Sequence, residues 1–241
     1  MIAELINNKE FKADFLSLLM ENRKKVTPNQ ALDAWDGAVR AMKNVESESQ
    51  YRRVGVDTVS LKKVVLKSAE SGLSLNPAEK ECYIGFMDNG LGLEYRLGYA
   101  YRGLRRIMLS HPEVKRLSSS VVGANDKFEW RGSSEKPFIS SDGRDSEIVS
   151  AFGWLEHKNG DVDSVLLTQS DLLAIEKRDI ERAIQFYGDA NQSIYLSEWR
   201  KRMFEIEAIK ALFRHCADIL DLTDDFESDV FARAETVGRL D

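Results

Sequence analysis

The chain is poor in the residues that build metal and disulfide sites. Of its 241 residues, two are cysteines (Cys82 and Cys216) and three are histidines (His111, His157 and His215). The cysteines lie far apart and neither belongs to a Cys-x-x-Cys pair, so they read as reduced thiols of a cytosolic protein. His215 and Cys216 are adjacent and would point to different sides of a helix, which argues against a zinc site. No apolar run reaches the length of a membrane span. The opening MIAELINNKEFKADF mixes charge with apolar residues, unlike a secretory signal. Neither a GxxxxGK[ST] phosphate loop nor a Gly-x-Ser-x-Gly nucleophile turn occurs, which removes support for P-loop nucleotide hydrolysis and for acyl transfer at such a turn.

Positive charge is also short, with 34 Lys and Arg against 40 Asp and Glu, a net of −6. The deficit is local. Residues 218–241 contain eight of the acids and two of the bases, leaving 32 of each elsewhere. A neutral body therefore precedes an acidic tail. Two parts are expected: a core over 1–217 and a partly mobile tail over 218–241. The tail reads as a solvated terminus, or as an autoinhibitory segment that covers basic residues until a ligand displaces it.

Hydrophobic periodicity divides the body into three. Helices are expected over Ile2–Asn22, over about 30–48 after the Thr27-Pro28-Asn29 break, and over about 57–71 ahead of Gly72. Strands follow at Cys82–Met87 and Leu91–Leu97 around Asp88-Asn89-Gly90. Further strands are expected at Leu117–Val122, Lys127–Arg131, Ile148–Glu156 and Val162–Leu167, with a helix from Tyr99 to Ser110 between the hairpins and a polar loop over 132–147. A helix capped by Thr168 and Asp171 and a long helix over about Ser197–Leu220 close the chain. The apolar face of the last helix is read as Trp199, Met203, Ile206, Ile209, Leu212, Phe213 and Cys216. The fold class is α+β: N-terminal helices, a small central antiparallel sheet built from hairpins with an inserted basic helix, and a long C-terminal helix.

The basic residues are concentrated. YRLGYAYRGLRRIM, from Tyr95 to Met108, holds four arginines and three tyrosines. Arg102, Arg105 and Arg106 share one helix face, opposite Ala100, Leu104, Ile107 and Met108. From Arg96 to Arg116 the only acid is Glu113, so pairing within the helix cannot neutralise them. Such guanidinium clusters suit phosphate, or pair with acids elsewhere in the fold. A second basic set, Arg200, Lys210 and Arg214, lies beside the apolar face of the last helix, and Lys62, Lys63 and Lys67 lie on the third helix. Candidate phosphate contacts are Arg96, Arg102, Arg105, Arg106, Lys115, Arg116, Lys127, Lys210 and Arg214. Tyr99, Tyr101 and Trp130 are candidates for base stacking. In Lys127-Phe128-Glu129-Trp130-Arg131 the aromatics share one strand face, which fits core packing or a stacking platform. One catalytic pattern is present: Glu156-His157-Lys158 with Asp142 and Asp145 upstream matches part of a metal-dependent nuclease signature.

Several of these stretches, in this order, resemble the RecT-like single-strand annealing proteins of phages and prophages. Ala69–Pro77 (AESGLSLNP) is similar to that family's GLEP-type stretch, and Gly98–Gly103 (GYAYRG) to its GY-x-YRG turn. A basic helix, a strand over Val114–Val122, the Gly123–Phe128 segment, the Ile148–Thr168 hairpin and the late helix with Trp199, Met203, Ile209, Leu212 and Phe213 complete the order, over roughly residues 30–216. The late helix departs from the family pattern, with Ile206 and Glu207 where Lys-Thr is common. Lys210 and Arg214 keep its basic positions.

The resemblance implies an α+β core that holds single-stranded DNA in a basic groove. It implies ATP-independent annealing to duplex DNA, no enzymatic activity and no cofactor, with magnesium acting at most on annealing. It also implies a homo-oligomer, ring or helical filament, working in the bacterial cytoplasm beside a 5′–3′ exonuclease and the host single-strand-binding protein, with no membrane partner. Two alternatives stand beside it: a metal-dependent nuclease built on Glu156, Lys158 and an upstream aspartate, and a non-enzymatic recombination scaffold.

Overall fold

The computed structural model describes residues 2–52, 55–88, 93–141 and 146–218. The expected turn residues Asn89 and Gly90 and the acidic tail beyond Asp218 lie outside them. The chain divides into two compact units, one up to Ser110 and one from His111.

The first unit opens with α1 (Ile2–Asn7) and α2 (Lys9–Asn22). The single expected helix is split because Asn8 takes an extended conformation and its side chain accepts from the Phe11 N–H, which caps α2. Thr27 caps α3 (Pro28–Arg52): its hydroxyl accepts from the Gln30 N–H while the Gln30 side chain accepts from the Thr27 N–H at 2.9 Å. Asp57 caps α4 (Thr58–Glu70) by accepting from Val59 and Ser60, and Gly72 stops it at φ 65°. The core is aromatic at its centre, with Phe11 and Phe15 edge-on to Trp35 at 5.5 and 5.4 Å. Leu61, Val64, Val65 and Ala69, the expected face of α4, are buried.

Strands β1 (Cys82–Asp88) and β2 (Leu93–Tyr99) pair antiparallel, with Tyr83 opposite Gly98. The Tyr83 ring lies where a side chain at 98 would have to be. Helix α5 (Tyr101–Ser110) follows and buries Gly103, Leu104, Ile107 and Met108. Gly103 rides on the Glu81 carbonyl oxygen, which also accepts from the Ala100 N–H at 2.9 Å.

The second unit is built on a three-stranded antiparallel sheet ordered β3 (Val114–Gly123), β6 (Ile148–His157), β7 (Val162–Leu167). A separate hairpin, β4 (Lys127–Glu129) with β5 (Phe138–Ser140), falls in and beside the expected polar loop. The strands therefore divide among three small antiparallel sheets among the described residues, where one central sheet was expected. A capping box at Thr168 and Asp171 starts α6 (Gln169–Tyr187), and Gly188 at φ 69° ends it. Two short 3₁₀ turns, Ala190–Gln192 and Ile194–Leu196, precede α7 (Arg200–Cys216).

Helix α7 lies across the three-stranded sheet, close enough that the Ala208 carbonyl oxygen is 2.8 Å from where a Cβ at Gly153 would sit. Its buried face is Phe204, Ala208, Ile209, Leu212, Phe213 and Cys216. Trp199, read as part of that face, precedes the helix and is 57% exposed. Trp199 is the N-cap and its carbonyl accepts from the Met203 N–H at 2.9 Å, but the face the sheet buries centres on Phe204, Ala208, Ile209 and Leu212, to one side of it. Both cysteines are free and buried. Burial pushes the Cys216 thiol up to about 12 and raises that of Cys82 as well, so both stay protonated.

A methyl group at Gly103 would overlap a backbone carbonyl, so Gly103→Ala is expected to cost on the order of 1–3 kcal/mol. Gly55, with nothing near its Cβ position, serves as the control. Denaturant unfolding checks both variants; equal midpoints for the two would show that α5 does not depend on this approach.

Candidate nucleic-acid interface

In the first unit the arginines of α5 divide by partner. Arg106 donates from Nε to Glu81 Oε1 at 2.5 Å. Arg23, at the end of α2, reaches the other Glu81 oxygen at 3.4 Å and Glu79 at 2.7 Å. The Ser74 N–H also donates to Glu81, whose side chain is 4% exposed. Burying a carboxylate is unfavourable unless its lone pairs are met, and here three donors meet them. Arg106 and Arg23 are thus committed to holding α2, the segment before β1, and α5 together.

Arg105 points along its own helix to the Tyr101 hydroxyl at 3.4 Å. Arg102 is exposed and has no ion pair among the described residues. Arg96 on β2 lies 3.5 Å from Glu94, two residues away on the same strand face. Tyr99 is buried at the end of β2, and Tyr101 is half-buried. Tyr99 is therefore positioned to shape the core beneath α5 rather than to stack on a ligand.

In the second unit a single carboxylate again gathers cations. Glu156 on β6 accepts from Lys115 Nζ and from Arg116 on β3, each at 2.5 Å. Hydrogen bonds from Lys115 and then Arg116 hold the Glu156 carboxyl below the ordinary range. Arg116 also lies 5.2 Å from the centre of the Trp154 ring, and Lys136 lies 4.4 Å from it. Two cations therefore cover one buried indole, and a third shares Glu156 with one of them. Lys136 falls in the stretch read as polar loop, and only the fold carries it to Trp154.

Lys127 is exposed on β4 with no ion pair among the described residues, and Trp130 just beyond β4 is half-buried. Phe128 is half-buried against the core, stacked on Phe152 at 5.6 Å and 24°. On α7, Lys210 is bound to Glu207 at 2.6 Å, and Arg214 Nε donates to the Lys210 carbonyl at 3.3 Å. Glu207, the departure from the family pattern, thus neutralises the basic residue one turn on. Arg200 is engaged by both oxygens of Glu176, at 2.9 and 3.1 Å.

The nuclease constellation does not assemble around a metal site among the described residues. No group of three or more His, Cys, Asp and Glu there could hold a metal ion. Glu156 is taken up by Lys115 and Arg116, His157 is bonded to Asp163 at 2.6 Å, and Asp142 and Asp145 lie outside the described residues. No helix among the described residues is long and apolar enough to cross a membrane.

Each unit presents basic side chains, some paired to acids and some exposed. The family profile is more specific. The RecT family matches residues 37–225, well over half of the chain, and the protein belongs to that family. Membership places it among the DNA-binding, single-strand annealing proteins of phage recombination. No curated protein matches the chain.

Replacing Glu156 with Gln removes the charge that Lys115 and Arg116 share while keeping the side chain's shape. Single-strand affinity is expected to rise, and the slope of log K against log salt to steepen by about 0.7 for each cation released. Loss of a magnesium-dependent DNA cleavage activity in this variant would instead make Glu156 a nuclease residue.

Proposed function

We propose that the protein binds single-stranded DNA without ATP and anneals complementary strands, acting as a homo-oligomer, ring or helical filament. The observation that carries the reading is the set of exposed basic side chains without acid partners among the described residues, Arg102 on α5 and Lys127 on β4, beside clusters in which cations outnumber carboxylates. An annealing protein must bring two polyanions together, so it needs phosphate contacts that ignore sequence. It must also leave Watson–Crick edges open. Arginine and lysine on helices and strand corners meet both demands, and no catalytic group is required.

Arg102, Arg105, Lys115, Arg116 and Lys127 are the phosphate contacts this geometry favours, with Arg96, Lys210 and Arg214 beside acids or backbone carbonyls that DNA would have to displace. Arg106 is assigned a mainly structural part because Glu81 holds it. Magnesium is expected to influence annealing by screening strand repulsion rather than by catalysis. A 5′–3′ exonuclease supplying single strands and the host's single-strand-binding protein are the expected partners, in the bacterial cytoplasm.

The test is the pairing of two complementary labelled oligonucleotides, without ATP, across a salt series. Wild-type protein should accelerate pairing and return intact strands. Arg102→Ala with Arg105→Ala should weaken single-strand binding and flatten its salt slope by roughly 0.7 for each phosphate no longer neutralised, leaving the unfolding midpoint in place. Arg106→Ala should lower that midpoint. A folded Arg102/Arg105 double variant with unchanged binding and slope would remove α5 from the DNA site, and strand pairing no faster than buffer would end the annealing reading.

A further inference from the structure

The β4–β5 hairpin has two faces, and only one is needed for packing. Its register sets Lys127 opposite Ser140, Phe128 opposite Ile139 and Glu129 opposite Phe138. Phe128 and Ile139 point inward, onto the cluster of Val122, Phe152 and Trp154. The outward face carries Lys127, Glu129, Ser140 and Phe138, the last of them 54% exposed. A phenylalanine there keeps apolar area in water and adds nothing to the inner face.

Both the loop that joins the two strands of this hairpin and the turn that enters it are held. Ser164 on β7, almost fully buried, donates from its backbone N–H to the Ser133 carbonyl at 2.7 Å, and its hydroxyl lies 2.8 Å from the Glu135 carbonyl oxygen. The Gly123 N–H donates to Asp126 at 2.7 Å, closing the turn that leads into β4. The carboxylates of the hairpin are occupied: Glu129 and Glu135 both face Arg131, at 2.8 and 3.9 Å. Lys127 is diagonal to Phe138 across the hairpin, within reach of the same small ligand. Lys136, two residues before Phe138, is occupied over Trp154, on the side where Phe128 and Ile139 pack, and leaves Lys127 as the cation of the outward face. An exposed aromatic ring on a held support, with a lysine diagonal to it on the same face, matches a single nucleotide: a flat base for the ring and a phosphate for the neighbouring cation.

We propose that Phe138 is a stacking platform for an unpaired base of bound single-stranded DNA, with Lys127 contacting the adjoining phosphate. The inference rests on the single-strand-binding reading above and adds to it a base-directed contact. Stacking occupies the π face of a base and is indifferent to its identity, so it orders the strand while leaving its pairing edge exposed.

The experiment compares binding of a short dT oligonucleotide with that of an abasic oligonucleotide of equal length and phosphate count. Wild-type protein should prefer dT. Phe138→Ala should lower dT affinity by roughly 5- to 150-fold, the range that one stacked base contributes, without altering the salt slope or the abasic affinity. Phe138→Tyr should keep the preference, and Phe138→Leu, which keeps an apolar side chain but no ring, should lose it. Because the inner face of the hairpin is untouched, the variants should unfold at the wild-type midpoint. Phe138→Ala and Phe138→Leu binding dT as tightly as wild type, or losing affinity equally for both oligonucleotides, would overturn the platform. A wild-type protein that binds neither oligonucleotide would overturn the single-strand reading, a failure visible before any variant is made.

Discussion

Each unit of this protein is organised by one sunken carboxylate that answers to two cations. Glu81 joins Arg23 of α2, the Ser74 N–H and Arg106 of α5. Glu156 joins Lys115 and Arg116 of β3 to β6. Removing either carboxylate's partners would leave a charge with little water around it, which costs far more than the pairs contribute when intact. These interactions explain why basic residues can crowd onto one short helix or one strand end. Part of each cluster is structural, and the remainder is carried into position by that part. Arg106 fixes the face of α5 from which Arg102 projects, and Glu156 holds Arg116 beside the indole that Lys136 also covers.

This division is only half visible in the sequence. The amphipathic face of α5, the caps at Thr27 and Thr168, the two longer hairpins and the buried stripe of α4 all follow from local rules, and they form as those rules require. The lack of an acid within reach along the helix is equally plain. What neutralises Arg106 is an acid 25 residues upstream, and nothing in a local pattern announces that partner. The same holds for Lys136, whose position over Trp154 depends on the folding back of a segment that reads as turn-rich and polar. Trp199 departs from expectation for a different reason. Trp199 is in phase with α7 as its N-cap, but the sheet claims the face of Phe204, Ala208, Ile209 and Leu212, so an aromatic that fits the stripe on paper lies off it and faces out. Phe128, open between core packing and a stacking platform, packs inward, and Phe138, in the stretch read as polar loop, stays out. In a three-residue strand, alternation is too short to say which face the core will claim.

Glycines mark where backbone packing, rather than side-chain chemistry, sets these positions. Gly103 lets α5 begin directly on the Glu81 carbonyl, which brings Arg106 to the same residue's carboxylate. Gly153 lets α7 settle onto β6, and the residues around it on that strand serve two opposed layers: Phe152 and Trp154 face the β4–β5 hairpin, while Ala151 faces α7. The hairpin and the helix are thus placed by opposite faces of one strand. The exposed chemistry of the hairpin is only as well positioned as that strand is.

The abundance of acids beside the cations bears on what binding must achieve under the proposed function. A protein that neutralised every phosphate it met would hold one strand too firmly to let it pair and depart. Lys210 tied to Glu207, Arg96 near Glu94 and Lys115 sharing Glu156 each present less than a full charge to a ligand. Binding then depends on exchanging one anion for another, a process that costs little in either direction and that releases fewer counterions than contact with an unpaired cation would. Contacts made through a ring are immune to that exchange. A stacked base therefore complements partly neutralised cations: the cations set how readily a strand comes and goes, and the ring sets how its bases are presented while it stays.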